Sequence, residues 1–149
     1  MLSQETLGVS KMTMSRDAKV MTGITILVVP TIMYGGWTLL GILTQGSAGA
    51  TVTGLKLTET QWALWRAGHA HAGVWTVFSL LLQVLLDSTR LSAAMMWVAR
   101  ICAPLSAVAL AGGFFGIAFS PSFRPLLYLG ICLLLIALVT TAVGLLRSR

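Results

Sequence analysis

The chain alternates between four long apolar runs and short polar connections. The apolar runs predict helices over about residues 20–43, 59–87, 91–119 and 126–146. A helix needs roughly 20 apolar residues to cross the hydrocarbon core of a bilayer, and every run is long enough. The pattern therefore predicts an all-α integral membrane protein, in which residues 19–149 form an antiparallel bundle of four transmembrane helices.

The polar connections contain signals that begin and end these helices. Thr58-Glu59-Thr60-Gln61 fits a capping box at the start of the second helix, since Thr and Gln are spaced to bond each other's backbone. Residues 44–58, rich in Gly, Ser, Thr and Ala, predict a loop, and residues 1–18 predict a polar tail. The first apolar run exceeds the roughly 7–15 residues of a signal peptide's apolar region, so we expect a retained helix.

Charge and composition narrow the function. The chain is 56% hydrophobic and 9% charged, which leaves no room for an extramembrane domain. The net charge of +6 comes from residues at helix ends, where they meet lipid head groups, so nucleic acid is not an expected partner. The sequence has no nucleophile–base pair, phosphate loop or paired carboxylates for hydrolytic chemistry.

The distribution of basic residues predicts the orientation. Nine of the ten Lys and Arg residues lie near helix ends, six on one side of the four predicted helices and three on the other, whereas Arg100 lies within the third helix. The richer side is cytoplasmic by the positive-inside rule. The richer side holds Lys11, Arg16, Lys19, Arg90, Arg147 and Arg149, and the other holds Lys56, Arg66 and Arg124. Both termini are then cytoplasmic, residues 1–18 form a cytoplasmic tail, and we expect a bacterial cytoplasmic membrane.

Both histidines of the chain, His69 and His71, lie in the second predicted helix. Two residues along a helix correspond to a turn of about 200°, so the two imidazoles point to nearly opposite faces. One ion bound by one helix favours histidines four residues apart, and this spacing therefore excludes the simplest metal site. Because a histidine inside a bilayer is costly, it is a functional-site hypothesis by default.

The two faces differ in polarity. His69 shares its face with a polar stripe and is expected to face the interior of its own bundle; the stripe consists of Thr76, Ser79, Gln83 and Asp87. His71 shares its face with apolar residues and is expected to face lipid or a second copy of the chain. A histidine facing lipid is expensive, which favours a partner or a cofactor there.

Small residues flank both histidines. Gly68 beside His71 and Gly73 beside His69 leave flat space that a haem macrocycle needs, although small residues equally allow helices to approach closely. Arg66, one turn before His69, could meet a haem propionate or serve as an interfacial anchor. Two other functions stay open: a membrane protein that holds Cu or Zn with histidines from several copies, and a non-catalytic accessory or assembly subunit with structural histidines.

The segment Gly68-His69-Ala70-His71-Ala72-Gly73 resembles the Gly-His-x-His-x-Gly of the haem–copper oxidase superfamily, especially its C-type and nitric-oxide-reducing branches. In that family the two histidines point apart from one membrane helix and ligate two haems. Its catalytic subunit has twelve helices in three groups of four, and the His-x-His helix is the second of its group. The resemblance implies that this chain corresponds to a single four-helix unit.

The chain departs from that family in its remaining residues. It has no further histidine for the three-histidine copper site and lacks the family's cross-linked His–Tyr element, so we do not expect a complete oxygen or nitric oxide reductase. The resemblance implies haem b, with His69 and His71 as ligands and Arg66, Gly68 and Gly73 beside it. It also implies a homo-oligomer, such as a trimer, through the His71 face, working in electron transfer or haem handling with an undetermined redox partner. No Cys-x-x-Cys-His is present for covalent attachment.

Overall fold

The computed structural model describes residues 13–45 and 57–148, with side chains for 13–41 and 57–148. This part of the chain forms four α-helices and no strand: α1 (Arg16–Gln45), α2 (Glu59–Leu86), α3 (Ala93–Ile117) and α4 (Arg124–Arg147). A 3-10 turn, Pro121–Phe123, leads directly into α4. All four helices are long and apolar enough to cross a membrane, which confirms the prediction of an all-α chain with four such helices.

Local capping explains where the helices begin. The predicted capping box at Thr58 is present: its Oγ1 accepts from the Gln61 backbone N–H at 3.3 Å, and its own N–H donates to the Gln61 side chain at 2.8 Å. Ser15 Oγ accepts from Ala18 N–H at 3.1 Å, and α1 therefore begins at Arg16, four residues before the predicted start. Most of the predicted tail and loop, residues 1–12 and 46–56, lies outside the described residues.

The four helices form an open arc in chain order. Helix α3 packs extensively against both α2 and α4, whereas α1 packs mainly on α2 and barely reaches α3. Within the described residues α1 does not contact α4. A groove therefore lies between α1 and α3, with α2 as its floor.

Glycines bring α3 and α4 into close contact. A Cβ added at Gly113 of α3 would lie 2.7 Å from the Leu127 Cα, and one added at Gly130 of α4 would lie 2.8 Å from the Leu110 backbone nitrogen. No side chain fits at either position without moving the backbone of the facing helix. The two helices thus pack through small residues, as is common where lipid provides no hydrophobic driving force between helices.

We expect Gly113→Ala to destabilise the α3–α4 pair by about 1–3 kcal/mol, the range for overpacking a well-packed contact. Thermal unfolding in a mild detergent measures the effect. Gly23→Ala in α1 is the matched control, because a Cβ there meets nothing within 4 Å, and its unfolding temperature should stay level or rise. Equal unfolding temperatures for the two variants would contradict this packing.

A buried polar network joins the end of α2 to the beginning of α3. Arg100 is only 2% exposed and Gln83 is fully buried. The Arg100 guanidinium donates to the Gln83 backbone carbonyl at 3.0 Å and to its side-chain oxygen at 3.1 Å, and it forms an ion pair with Asp87. The Gln83 amide donates in return to the Arg100 carbonyl at 3.0 Å. Both terminal nitrogens of the guanidinium and both polar atoms of the Gln83 side chain are therefore hydrogen-bonded, which is what makes a buried arginine tolerable.

The same network attaches α1 to the rest of the bundle. Asp87 accepts from the Ser15 backbone N–H at 2.8 Å and from the Ser15 hydroxyl at 2.7 Å. Burial raises the pKa of the Asp87 carboxyl, but the two Ser15 hydrogen bonds and the Arg100 guanidinium outweigh it and hold the pKa below its ordinary value of 3.8. Because α1 has few other contacts beyond α2, Asp87 anchors its N-terminus.

The lowered pKa of Asp87 predicts a pH dependence of stability. The stabilisation is fully present above the ordinary pKa of 3.8 and is lost as pH falls through the lower folded-state pKa. The difference in unfolding temperature between the wild type and Asp87→Asn should therefore be full at neutral pH and should shrink as the pH falls below 3.8. Asp17→Asn, which removes an exposed carboxyl of α1, is the control variant measured at neutral pH.

Candidate functional site

The two histidines lie on either side of the line along which α2 packs against α3. Gly68 marks that line: a Cβ there would lie 3.0 Å from the Phe115 ring and 3.2 Å from the Phe114 Cβ. Gly68 therefore allows α3 to pack closely against α2. Gly73, by contrast, has open space where its side chain would be. The sequence pattern assigned both glycines to space beside a cofactor, and only Gly73 has such space in this arrangement.

His71 is half-buried on one side of this line. Its Nδ1 lies 2.7 Å from the Ala67 carbonyl of the preceding turn, and its ring centroid lies 4.6 Å from that of Phe114. A carbonyl only accepts, so Nδ1 carries the proton and donates, which leaves the lone pair on Nε2. His71 thus has contacts within its own chain, whereas its apolar face suggested that it would need a partner from outside.

This hydrogen bond has a chemical consequence. Metal-ligating histidines in proteins almost always donate their second ring N–H to a carboxylate, a backbone carbonyl or water, which fixes the tautomer and the ring orientation. His71 already has that arrangement, with Nε2 as the nitrogen available to an iron or another metal ion. The residue therefore fits the role of an axial ligand.

His69 lies on the other side of the line, beneath α1. A Cβ added at Gly36 would lie 3.0 Å from the His69 Cε1 and 3.1 Å from its Nε2, and one at Gly35 would lie 3.8 Å from Nδ1. The edge of the imidazole thus fits against two glycines of α1. Sequence reasoning did not connect Gly35 and Gly36 to His69, because nothing local indicates which residue of α2 faces them.

No hydrogen bond to the His69 ring is formed by the described residues. The ring instead borders two cavities that open toward the groove between α1 and α3. We call the first the Trp65 cavity; its volume is about 380 Å³, and it is lined by Tyr34, Gly35, Thr38, Leu39, Trp65, His69 and Phe115. The second, the Thr76 cavity of about 260 Å³, extends along the groove past Ala72, Thr76 and Ala107.

A third cavity of about 220 Å³ continues the groove toward Met21 and shares Val28, Thr76 and Val108 with the Thr76 cavity. We call the three together the His69 groove. It reaches from Met21 to Leu39 of α1, which is about 27 Å at 1.5 Å per residue and comparable to the hydrocarbon thickness of a bilayer. No charged residue lines any of the three cavities.

Three of the four residues of the polar stripe of α2 are buried, and Asp87 at its end is partly exposed. Thr76 is 5% exposed, Ser79 1% and Gln83 0%, so the stripe faces the interior, as the sequence pattern predicted for the His69 side. Gln83 bonds Arg100, whereas the Ser79 hydroxyl is buried without a hydrogen-bond partner among the described residues. The stripe therefore acts as a polar helix–helix seam below His69.

The remaining predicted site residue, Arg66, is exposed and forms no ion pair within the described part of the chain. That part also contains no group of three or more His, Cys, Asp or Glu side chains that could hold a metal ion. The structure thus brings His69 together with aromatic residues of α2 and α3 and with glycines of α1. Within the described residues no hydrogen bond joins Arg66 to either imidazole.

Comparison with known proteins adds no identification: no family model matches the sequence, and neither the curated proteins nor the solved structures contain a match.

Proposed function

We propose that this chain is an integral membrane protein that binds b-type haem through His71 and works as a homo-oligomer in electron transfer or haem handling. The observation that carries the proposal is the bond from His71 Nδ1 to the Ala67 carbonyl at 2.7 Å. It leaves Nε2 as the nitrogen that would ligate iron, with the tautomer and ring orientation fixed by a backbone carbonyl, as is usual for metal-ligating histidines. The resemblance of the His-x-His segment to the haem–copper oxidase superfamily supports haem as the group bound.

His71 suits the ligand role better than His69. The Nε2 edge of His69 faces Gly36 at close range, so iron on that nitrogen would require α1 to move. Haem on His71 would lie on the side of α2 that faces Phe114 of α3. Arg124 is the first residue of α4 and lies one turn before Leu127. Leu127 packs on Gly113 of α3, which is next to Phe114 in the chain. Arg124 is therefore the basic residue that we assign to a haem propionate.

Arg66 is less suited to that contact. It lies five residues before His71, a rotation of about 140° around the helix, so its side chain leaves α2 on a different face. We assign it the role of an anchor at the membrane interface, where arginine side chains reach the head groups.

The homo-oligomer is proposed because a six-coordinate haem needs a second axial ligand. A second histidine from another copy would give a six-coordinate site, which transfers electrons because no axial position is open to a gas. The exposed apolar residues near His71, Val74 and Phe78, are available for that contact. Three copies would correspond to the three groups of four helices in the resembling family.

The proposed topology is an antiparallel bundle with both termini cytoplasmic, in a bacterial cytoplasmic membrane. Contacts at both ends of α2 and α3 support it: Gln61 at the start of α2 donates to the Ala118 carbonyl just after α3 at 2.8 Å. At the opposite end Asp87 pairs with Arg100. The distribution of basic residues supports the orientation of the termini.

The test is an absorption spectrum of the protein purified in mild detergent after expression with added haem precursor. We expect a Soret band and, on reduction, the α band of a six-coordinate b-type haem. Elemental analysis of the same sample tests the alternative of a copper or zinc site. Copper or zinc without porphyrin absorbance would indicate that the protein binds a metal ion and not haem.

A non-catalytic accessory or assembly subunit is the second candidate. The observation that favours it is that both imidazoles already pack within the chain, His71 on Phe114 and His69 on Gly36. In that case the protein shows no haem absorbance, and the double variant His69→Ala/His71→Ala folds and assembles like the wild type.

A further inference from the structure

We propose that the His69 groove binds an isoprenoid quinone, with the quinone ring in the Trp65 cavity beside His69. This site is on the other side of α2 from His71, and the quinone proposal does not depend on haem being bound at His71. It would supply the class of redox partner that the sequence leaves undetermined.

The unpaired imidazole is the first reason. His69 is half-buried inside a helix that is long and apolar enough to span a membrane, and the described residues form no hydrogen bond to its ring. A polar group that is removed from water without a hydrogen-bond partner is unfavourable. A neutral imidazole offers one N–H and one lone pair. A ligand that pairs with Nδ1, which lies farther from Gly36 than Nε2 does, recovers that cost.

The walls of the Trp65 cavity are the second reason. Three aromatic side chains, those of Tyr34, Trp65 and Phe115, line a space of about 380 Å³. Trp65 is held by edge-to-face contacts with Phe115 at 5.6 Å and with Phe119 at 6.0 Å between ring centroids. Fixed aromatic walls favour a flat ring, because offset and edge-to-face contacts are attractive.

The absence of charged side chains from the cavity lining further restricts the class of ligand. The three cavities of the groove contain no charged side chain, so the ligand must be neutral where it lies. A phospholipid head group or a haem propionate would be buried there without a counter-charge. A quinone carbonyl is neutral and accepts a hydrogen bond from an imidazole N–H.

The length of the groove is the third reason. From the Trp65 cavity the groove continues past Thr76 to Met21, about 27 Å along α1. Its walls are almost entirely apolar, and α1 barely touches α3, so a long ligand can enter sideways from the lipid. An isoprenoid tail matches this apolar extension, whereas a hydrocarbon without a carbonyl would leave His69 unpaired.

The experiment uses the full chain in lipid nanodiscs and the quinone analogue decyl-ubiquinone, with tryptophan fluorescence as the readout. We expect saturable quenching, part of which disappears in Trp65→Phe. His69→Ala should weaken binding about tenfold, as expected for the loss of one hydrogen bond of about 1.4 kcal/mol. Gly35→Leu should abolish binding, because Gly35 lines both cavities at His69; Gly23→Leu, in open space on the same helix, is its control.

The comparison ligand is decylbenzene, which has the same tail and a ring without carbonyls. It should bind at least tenfold more weakly than decyl-ubiquinone. Equal binding of the two, or quenching that never saturates, would show a lipid-filled groove and overturn the proposal. So would loss of haem absorbance in His69→Ala, because haem would then occupy this site. Quinone binding without any haem absorbance would leave this inference standing while the haem proposal fails.

Discussion

Replacing Arg100 by alanine should lower the free energy of unfolding by about 3–5 kcal/mol, the cost of breaking a buried ion pair by removing one partner. The guanidinium is 2% exposed, donates twice to Gln83 and pairs with Asp87. Its removal leaves the Asp87 charge without its cation and a buried Gln83 oxygen without a donor. Unfolding by heat or denaturing detergent, followed by circular dichroism, measures the loss.

Two further variants test that explanation. Arg90→Ala removes an exposed arginine only ten residues away and should change stability by less than about 0.5 kcal/mol. Arg100→Met combined with Asp87→Asn removes both charges and keeps most of the volume, so it should recover much of the loss, since replacing a whole buried pair is often neutral. If the double variant is as unstable as Arg100→Ala, the charge explanation is wrong and packing dominates.

The second large effect follows from the proposed haem site and is the loss of haem from His71→Ala. If His71 binds haem as proposed, removing the imidazole removes the axial ligand on this side of α2, so the Soret and α bands should disappear from the purified protein. The fold should survive, because within the described residues the His71 ring makes one hydrogen bond, to its own helix, and one ring contact, with Phe114. Absorbance per mole of protein and size-exclusion volume are the two measurements.

His69→Ala is the matched control for this prediction, since it removes the same side chain two residues away. It should keep the haem absorbance, because the His69 Nε2 edge faces Gly36. Haem retained by His71→Ala but lost from His69→Ala would move the axial ligand to His69. A variant that loses haem together with its circular dichroism signal would show only that the protein had unfolded, so the far-ultraviolet spectrum is recorded on the same sample.

Most of the secondary structure could be read from the sequence, for local reasons. Helix existence follows from apolar runs longer than a bilayer crossing needs, and the start of α2 at Glu59 follows from the Thr58–Gln61 capping box, in which both partners lie within one turn. The first helix began earlier than predicted. Ser15, its N-cap, is held by Asp87, 72 residues away, and a contact of that range has no local signal.

The sequence by itself also determined that the two imidazoles point to opposite sides of one helix and that one side is polar, since both follow from 3.6 residues per turn. Only the tertiary structure decided what each imidazole meets. His71 bonds a backbone carbonyl and contacts Phe114. His69 lies against Gly36 and borders the cavities, and Gly68 packs against the aromatic residues of α3. The physical reason is that helical periodicity orders residues around one axis, whereas the partner at each angle depends on how separate helices pack in space.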